Sequence, residues 1–159
     1  GVPRQVVPFF ERGVAKGVVY DSYTARKEGR ASTGHALPAP NTYGPIPLHL
    51  VLEGGTRTRE ELIAGVERGI LVTRFHYVNI VHPAEAIITG MTRDGTFLIE
   101  NGAVTKAVNK LRFTQSMLEA LQHVSDLERA LTLVSGEGMY CVVPTLRIEG
   151  FHFTSASPE

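Results

Sequence analysis

Of the 159 residues, one is cysteine and none is tryptophan. The single thiol, Cys141, cannot close an internal disulfide, and no cysteine pair marks a zinc site. The simple reading is a reducing cytoplasm. An excess of either charge is lacking too. Lys+Arg and Asp+Glu both number 16, so there is no basic surplus of the kind that phosphate backbones demand, and nucleic acid is not expected as a direct partner. No apolar run approaches the ~20 residues of a membrane span. No charged-then-apolar segment opens the chain either, so no membrane partner is expected. The first residue is Gly1 rather than Met, as in an excerpt, a processed product or a tagged chain.

Complete catalytic signatures are also missing. No G-x-S-x-G elbow surrounds Ser32, and no G-x-x-x-x-G-K-[ST] phosphate cradle occurs. The six histidines are His35, His49, His76, His82, His123 and His152. None is followed by Glu, so an H-E-x-x-H helix is excluded, and no two stand three or four residues apart. His49 and His152 lie in apolar strand patterns and read as satisfied, partly buried side chains. Cys141, in Met-Tyr-Cys-Val-Val-Pro, reads as a buried thiol acting as a small hydrophobe. Arg26, Lys27 and Arg30 read as a solvated face. No residue is assigned as catalytic or as a metal ligand.

What is present is an ordinary globular composition, 43% hydrophobic and 20% charged, in a length that buries roughly 70% of its unfolded surface. Residues 1–159 read as a single domain. Gln5 to Phe10, the turn Glu11-Arg12-Gly13 and Val14 to Asp21 suggest a hairpin. Four of the nine prolines fall between Pro38 and Pro47, which makes that stretch irregular. Leu48 to Glu53 reads as a strand. Thr58-Arg-Glu-Glu61 is a capping box opening a helix that Gly69 ends. Ile70 to Tyr77 is strand-like. Asp94-Gly95 between Ala84–Thr92 and Thr96–Glu100, then Asn101-Gly102 before Ala103–Phe113, predict two hairpin turns and a meander. Gln115 to Val124 reads as a helix. Ser125-Asp-Leu-Glu128 reads as a second capping box, opening another helix. Met139 to Phe153 is a bent strand or strand pair broken at Pro144. The expected class is α+β, a mainly antiparallel β-sheet or barrel-like domain with about three short helices.

The stretch Ser32-Thr33-Gly34-His35 carries the most chemistry. A serine nucleophile needs a base within hydrogen-bond reach and a tight elbow, but prolines follow here instead of a helix. A structured loop whose side chains bond their own backbone is the favoured reading.

Taken together, several stretches resemble the C-terminal region of the TldD/PmbA family, proteins also called modulators of DNA gyrase. These are Asp21-Ser-Tyr-Thr-Ala-Arg-Lys-Glu-Gly29 leading to Ser32-Thr-Gly34, the capped helix Thr58 to Gly69, Thr89-Gly90, Gly95-Thr-Phe-Leu-Ile-Glu-Asn-Gly102 and Pro144-Thr-Leu-Arg-Ile. Gly1-Val-Pro resembles the family's E-G-[VT]-P. The resemblance spans essentially the whole chain, and five pieces in the right order are hard to reach by accident.

The resemblance implies the C-terminal domain of a zinc metallopeptidase, or of its metal-free partner subunit, in a homo- or heterodimer that cleaves peptides or unfolded segments. The family's H-E-x-x-x-H lies upstream of the matched region and is absent here, so zinc would belong to the full-length protein and this fragment by itself would not be catalytic. Metal-bearing members add a cysteine more than a dozen residues before the closing P-x-L strand. Cys141 stands three residues before Pro144, so that role is not carried to it. The D-S-Y-T-A-R-K spelling leans toward the PmbA-like side. Family substrates lie extended along strands, which implies that Ser32, Thr33, Gly34 and His35 form a framework near the intersubunit or substrate cleft. Two alternatives stand beside this. One is a non-catalytic regulatory module linked to DNA gyrase or a toxin–antitoxin system. The other is a separate hydrolase using Ser32 and His35.

Overall fold

A computed structural model describes residues 1–136 and 139–156. The chain divides into two compact units, Gly1–Leu50 with Val134–Cys141, and Val51–Leu133 with Val142–Glu159. Antiparallel strands dominate, with three short α-helices. Among the described residues no sheet closes into a barrel. No helix there is long and apolar enough to cross a membrane.

In the first unit, strands β1 (Phe10–Glu11) and β2 (Val14–Ala15) form the expected hairpin, with a ladder of two residue pairs, Phe10↔Ala15 and Glu11↔Val14. Helix α1 (Ser22–Lys27) follows, within a stretch for which no helix was expected. Asp21 caps it: Thr24 N donates to Asp21 Oδ1 at 2.7 Å, and Asp21 N donates to Thr24 Oγ1 at 3.2 Å. A threonine thus closes a box in which Glu or Gln is the usual partner.

A three-stranded sheet has the order β3 (His49–Val51), β9 (Met139–Ile148), β8 (Val124–Gly136). Strand β9 runs unbroken through Pro144, contrary to the expected break. Strand β8 replaces the helix expected from Ser125-Asp-Leu-Glu128. Each side chain of that apparent capping box has a distant partner: Ser125 Oγ donates to Glu149, Asp126 pairs with Arg57, and Glu128 pairs with Arg59. Leu127, Leu131 and Leu133 also fit a period of two, and tertiary pairing decides for strand.

The second unit is built on a five-stranded sheet. Its path is β10 (Phe153–Ala156), β7 (Leu111–Ser116), β5 (Ile87–Glu100), β4 (Arg68–His82), with β6 (Ala103–Ala107) also paired to β5. The expected strand 103–113 is therefore two, both on β5, at opposite ends. The hairpin turn between β4 and β5 falls at the 3-10 turn Pro83–Glu85 and not at Asp94-Gly95. Asp94 (φ 60°) and Gly95 (φ 133°) instead form a bulge opposite Thr73, whose hydroxyl donates to the Arg93 and Gly95 carbonyls. The Asn101-Gly102 turn is as expected, with φ of 51° and 78°.

Helix α2 (Arg59–Ala64) opens on the expected box, Thr58 Oγ1 accepting from Glu61 N and Glu61 Oε2 from Thr58 N. It stops at Gly65, four residues before the predicted end, because β4 begins at Arg68. Helix α3 (Met117–Gln122) is capped by Ser116. The core of this unit centres on Phe113, fully buried, against Phe75 at 4.7 Å and Phe151 at 5.5 Å between ring centroids.

Candidate functional site

The Ser32–His35 loop wraps the peptide of Tyr20, the residue just before the cap of α1. Tyr20 N donates to Thr33 Oγ1 at 2.7 Å, and Thr33 N donates to Tyr20 O at 3.0 Å. The Thr33 hydroxyl also reaches Tyr20 O at 3.0 Å and His35 Nδ1 at 2.9 Å. Ser32 Oγ donates to Tyr20 O at 3.4 Å and accepts from Gly34 N at 3.2 Å. On the other side Ile46 N donates to His35 O, which ties down the end of the proline-rich stretch. The four candidate residues are therefore brought together, but by main-chain bonding.

This geometry disfavours a nucleophile. Ser32 makes no hydrogen bond to His35; the side chain that meets the imidazole is Thr33. The Thr33 oxygen is itself held by a backbone N–H, which stabilises its lone pairs against attack. His35 is buried, yet no buried side-chain nitrogen or oxygen among the described residues lacks a partner.

Gly34 sits at φ +75°, and a Cβ built there would lie 2.3 Å from Pro3 O and 2.8 Å from Arg4 N. The close backbone approach is real, and the backbone that approaches is the chain's own. Gln5 N donates to Thr33 O at 3.0 Å, so Pro3–Gln5 lies against the loop. Arg4 continues to His49 Nδ1 at 3.1 Å, and His49 stacks on Tyr140. Sequence reasoning missed this partner, because nothing local in Gly1-Val-Pro signals where it docks.

The remaining histidines are dispersed. His76 accepts from Arg93, His82 lies 3.7 Å from Glu85, and His123 Nδ1 is 2.9 Å from the Glu119 carbonyl. His49 and His152 are exposed, contrary to the partly buried reading: His49 lies on β3 at the edge of its sheet, and His152 lies outside any strand, just before β10. Cys141 is half-buried, not buried. Among the described residues no three His, Cys, Asp or Glu side chains gather as a metal-binding group.

One carboxylate stands apart. Glu128 is buried on β8, and hydrogen bonding from Thr145, then the Arg59 guanidinium at 3.3 Å, hold its pKa below the usual carboxylate value. It joins α2, β8 and β9, which is a structural task.

Residues 1–155 match the model of a family described as the PmbA/TldA metallopeptidase C-terminal domain. The chain is 25% identical over 161 residues to the metalloprotease TldD homolog of Haemophilus influenzae, covering 94% of this chain and 33% of that protein. The crystal structure of TldE from Thermococcus kodakarensis superposes with a TM-score of 0.85 at 25% identity, over 98% of this chain and 35% of that one. A candidate modulator of DNA gyrase from Bacteroides thetaiotaomicron gives 0.73 at 28% identity, over 97% and 31%. The chain thus spans about a third of each relative's length.

Proposed function

The chain belongs to the PmbA/TldA metallopeptidase C-terminal domain family, and from that membership we propose that it supplies the scaffold and a wall of the substrate cleft in a TldD/TldE-type assembly acting on peptides or unfolded segments. The observation that carries this reading is the Ser32–His35 loop with its guest. A backbone segment, Pro3–Gln5, lies against the loop through a main-chain hydrogen bond and a glycine with no side chain in the way. A surface that receives extended backbone in this manner selects for strand-like chain and not for particular side chains.

In this reading hydrolysis is performed elsewhere in the assembly, and no ligand for zinc is placed in this chain. It acts as one subunit of a homo- or heterodimer in the cytoplasm, and the single thiol suits that compartment. Ser32 and Thr33 shape the loop, and His35 completes it through its bond to the Thr33 hydroxyl.

The test is Ser32→Ala in the full-length protein, assayed for cleavage of an unfolded substrate together with its partner subunit. Cleavage stays within about twofold of the parent, since the serine bonds only main chain, the Tyr20 carbonyl and the Gly34 N–H. Complete loss of cleavage with an unchanged melting curve would sink the scaffold reading and favour a hydrolase using Ser32. A stable complex with a regulatory partner and no peptide turnover would favour the regulatory module instead.

A further inference from the structure

The second unit carries an open cavity of about 390 Å3 lined by His76, Tyr77, Met91, Thr92, Arg93 and Lys110. Its charge is unbalanced. Arg93 Nη1 lies 2.7 Å from His76 Nε2, and a guanidinium can only donate in such a contact. The neighbouring carboxylate, Asp94, is held at 3.0 Å by Arg74 and lies 3.6 Å from Arg93 Nε. Lys110 makes no ion pair among the described residues. One carboxylate therefore answers three cations.

The two cations that line the cavity, Arg93 and Lys110, are anchored from below. Thr92 is fully buried, and its hydroxyl accepts from Leu111 N at 3.0 Å and from Thr96 Oγ1 at 2.7 Å. Arg93 follows Thr92 and Lys110 precedes Leu111, so one buried hydroxyl positions the backbone of both. The wall is strained as well. Tyr77 stands at φ +53°, where two residues of β4 oppose one of β5. A left-handed conformation costs a bulky residue about 1–2 kcal/mol. Tyr77 is 71% exposed, so burial does not offset that cost, and Val78, Ile80 and Val81 beside it are exposed too. A strained aromatic held in solvent beside a cationic cavity is the pattern of a ligand site.

We infer that this cavity binds a carboxylate of an extended peptide, the oxygens lying between Arg93 and Lys110 and the adjoining apolar side chain lying on Tyr77 and Met91. The inference rests on the peptide-cleft reading above and adds to it a polar determinant of substrate choice. Two sources present the same chemistry: the C-terminal carboxylate of a peptide and an internal acidic side chain.

The experiment uses the full-length protein and three fluorescent hexapeptides of alanine, glycine and leucine. One has a free C-terminal carboxylate, one is amidated, and one is amidated with an internal glutamate. The free acid, or the glutamate peptide, binds at least about tenfold more tightly than the neutral amide, as expected for a charge-assisted contact. Which of the two is tighter identifies the source. The advantage disappears in Arg93→Gln and in Lys110→Gln, while affinity for the neutral amide stays unchanged. Lys110→Gln breaks no side-chain ion pair or hydrogen bond among the described residues, which separates binding from folding. Equal affinity for all three peptides overturns the carboxylate site and leaves the peptide cleft standing. An advantage that survives in both variants also overturns it. Binding of none of the three overturns the peptide-cleft reading itself.

Discussion

Replacing Gly34 by alanine tests whether the candidate loop is built around the chain's own Pro3–Gln5 segment. At φ +75° any L side chain is strained, at about 1 kcal/mol or somewhat more. The new methyl would sit 2.3 Å from Pro3 O and 2.6 Å from Pro3 C. Those are main-chain atoms that cannot swing aside as a flexible tip would, and such overpacking costs about 1–3 kcal/mol. If the segment leaves to relieve the clash, the bond from Gln5 N to Thr33 O is lost, at about 1 kcal/mol. The total is about 2–4 kcal/mol with the segment held in place and about 2 kcal/mol if it detaches. Gly29→Ala is the control, since Gly29 has φ +63° and nothing within 4 Å of a built Cβ. It carries the backbone strain alone, about 1 kcal/mol. Urea unfolding of the full-length variants reads the difference, and hydrogen exchange at the Gln5 amide reports whether the segment detaches. The reasoning is refuted if both variants lose the same stability and the Gln5 amide stays protected in each.

Three further outcomes follow from the second unit. Phe113→Ala, at a fully buried ring between Phe75 and Phe151, costs about 4 kcal/mol in chemical denaturation. Thr58→Ala removes the cap of α2 and costs about 1 kcal/mol by the same measurement. Glu128 has a pKa held below its ordinary 4.5 in the folded chain, so between the two values the unfolded chain binds more protons. Its contribution is complete above 4.5 and is lost as pH falls through the lowered value. A pH series of thermal melts therefore shows the parent losing more stability on acidification than Glu128→Gln, and equal losses would contradict that linkage.

Both the reach and the failures of the sequence have physical causes. The cap of α2 was legible because Thr58 and Glu61 bond each other's backbone within one turn, and distant parts of the chain have little say there. The same motif at Ser125–Glu128 misled because its side chains found partners on Arg57, Arg59 and Glu149, far along the chain. Asp94-Gly95 has the composition of a hairpin turn and a bulge alike, since both need positive φ. The pairing of β4 with β5 on either side of it chose the bulge. Helix α1 was passed over because its capping partner is Thr24.

The sequence by itself determined the family, the antiparallel class, the cap of α2 and the Asn101-Gly102 turn. These rest on composition, order and bonds between near neighbours. It also singled out Ser32 to His35 as the loop to watch. Only the tertiary structure decided what that loop does with its hydroxyls: Tyr20 takes them, twelve residues and more away. Only the structure brought Pro3 to Gly34, and Lys110 beside His76 and Arg93. Contacts of that kind are set by how strands pair across long stretches of chain, and no local residue pattern encodes the pairing.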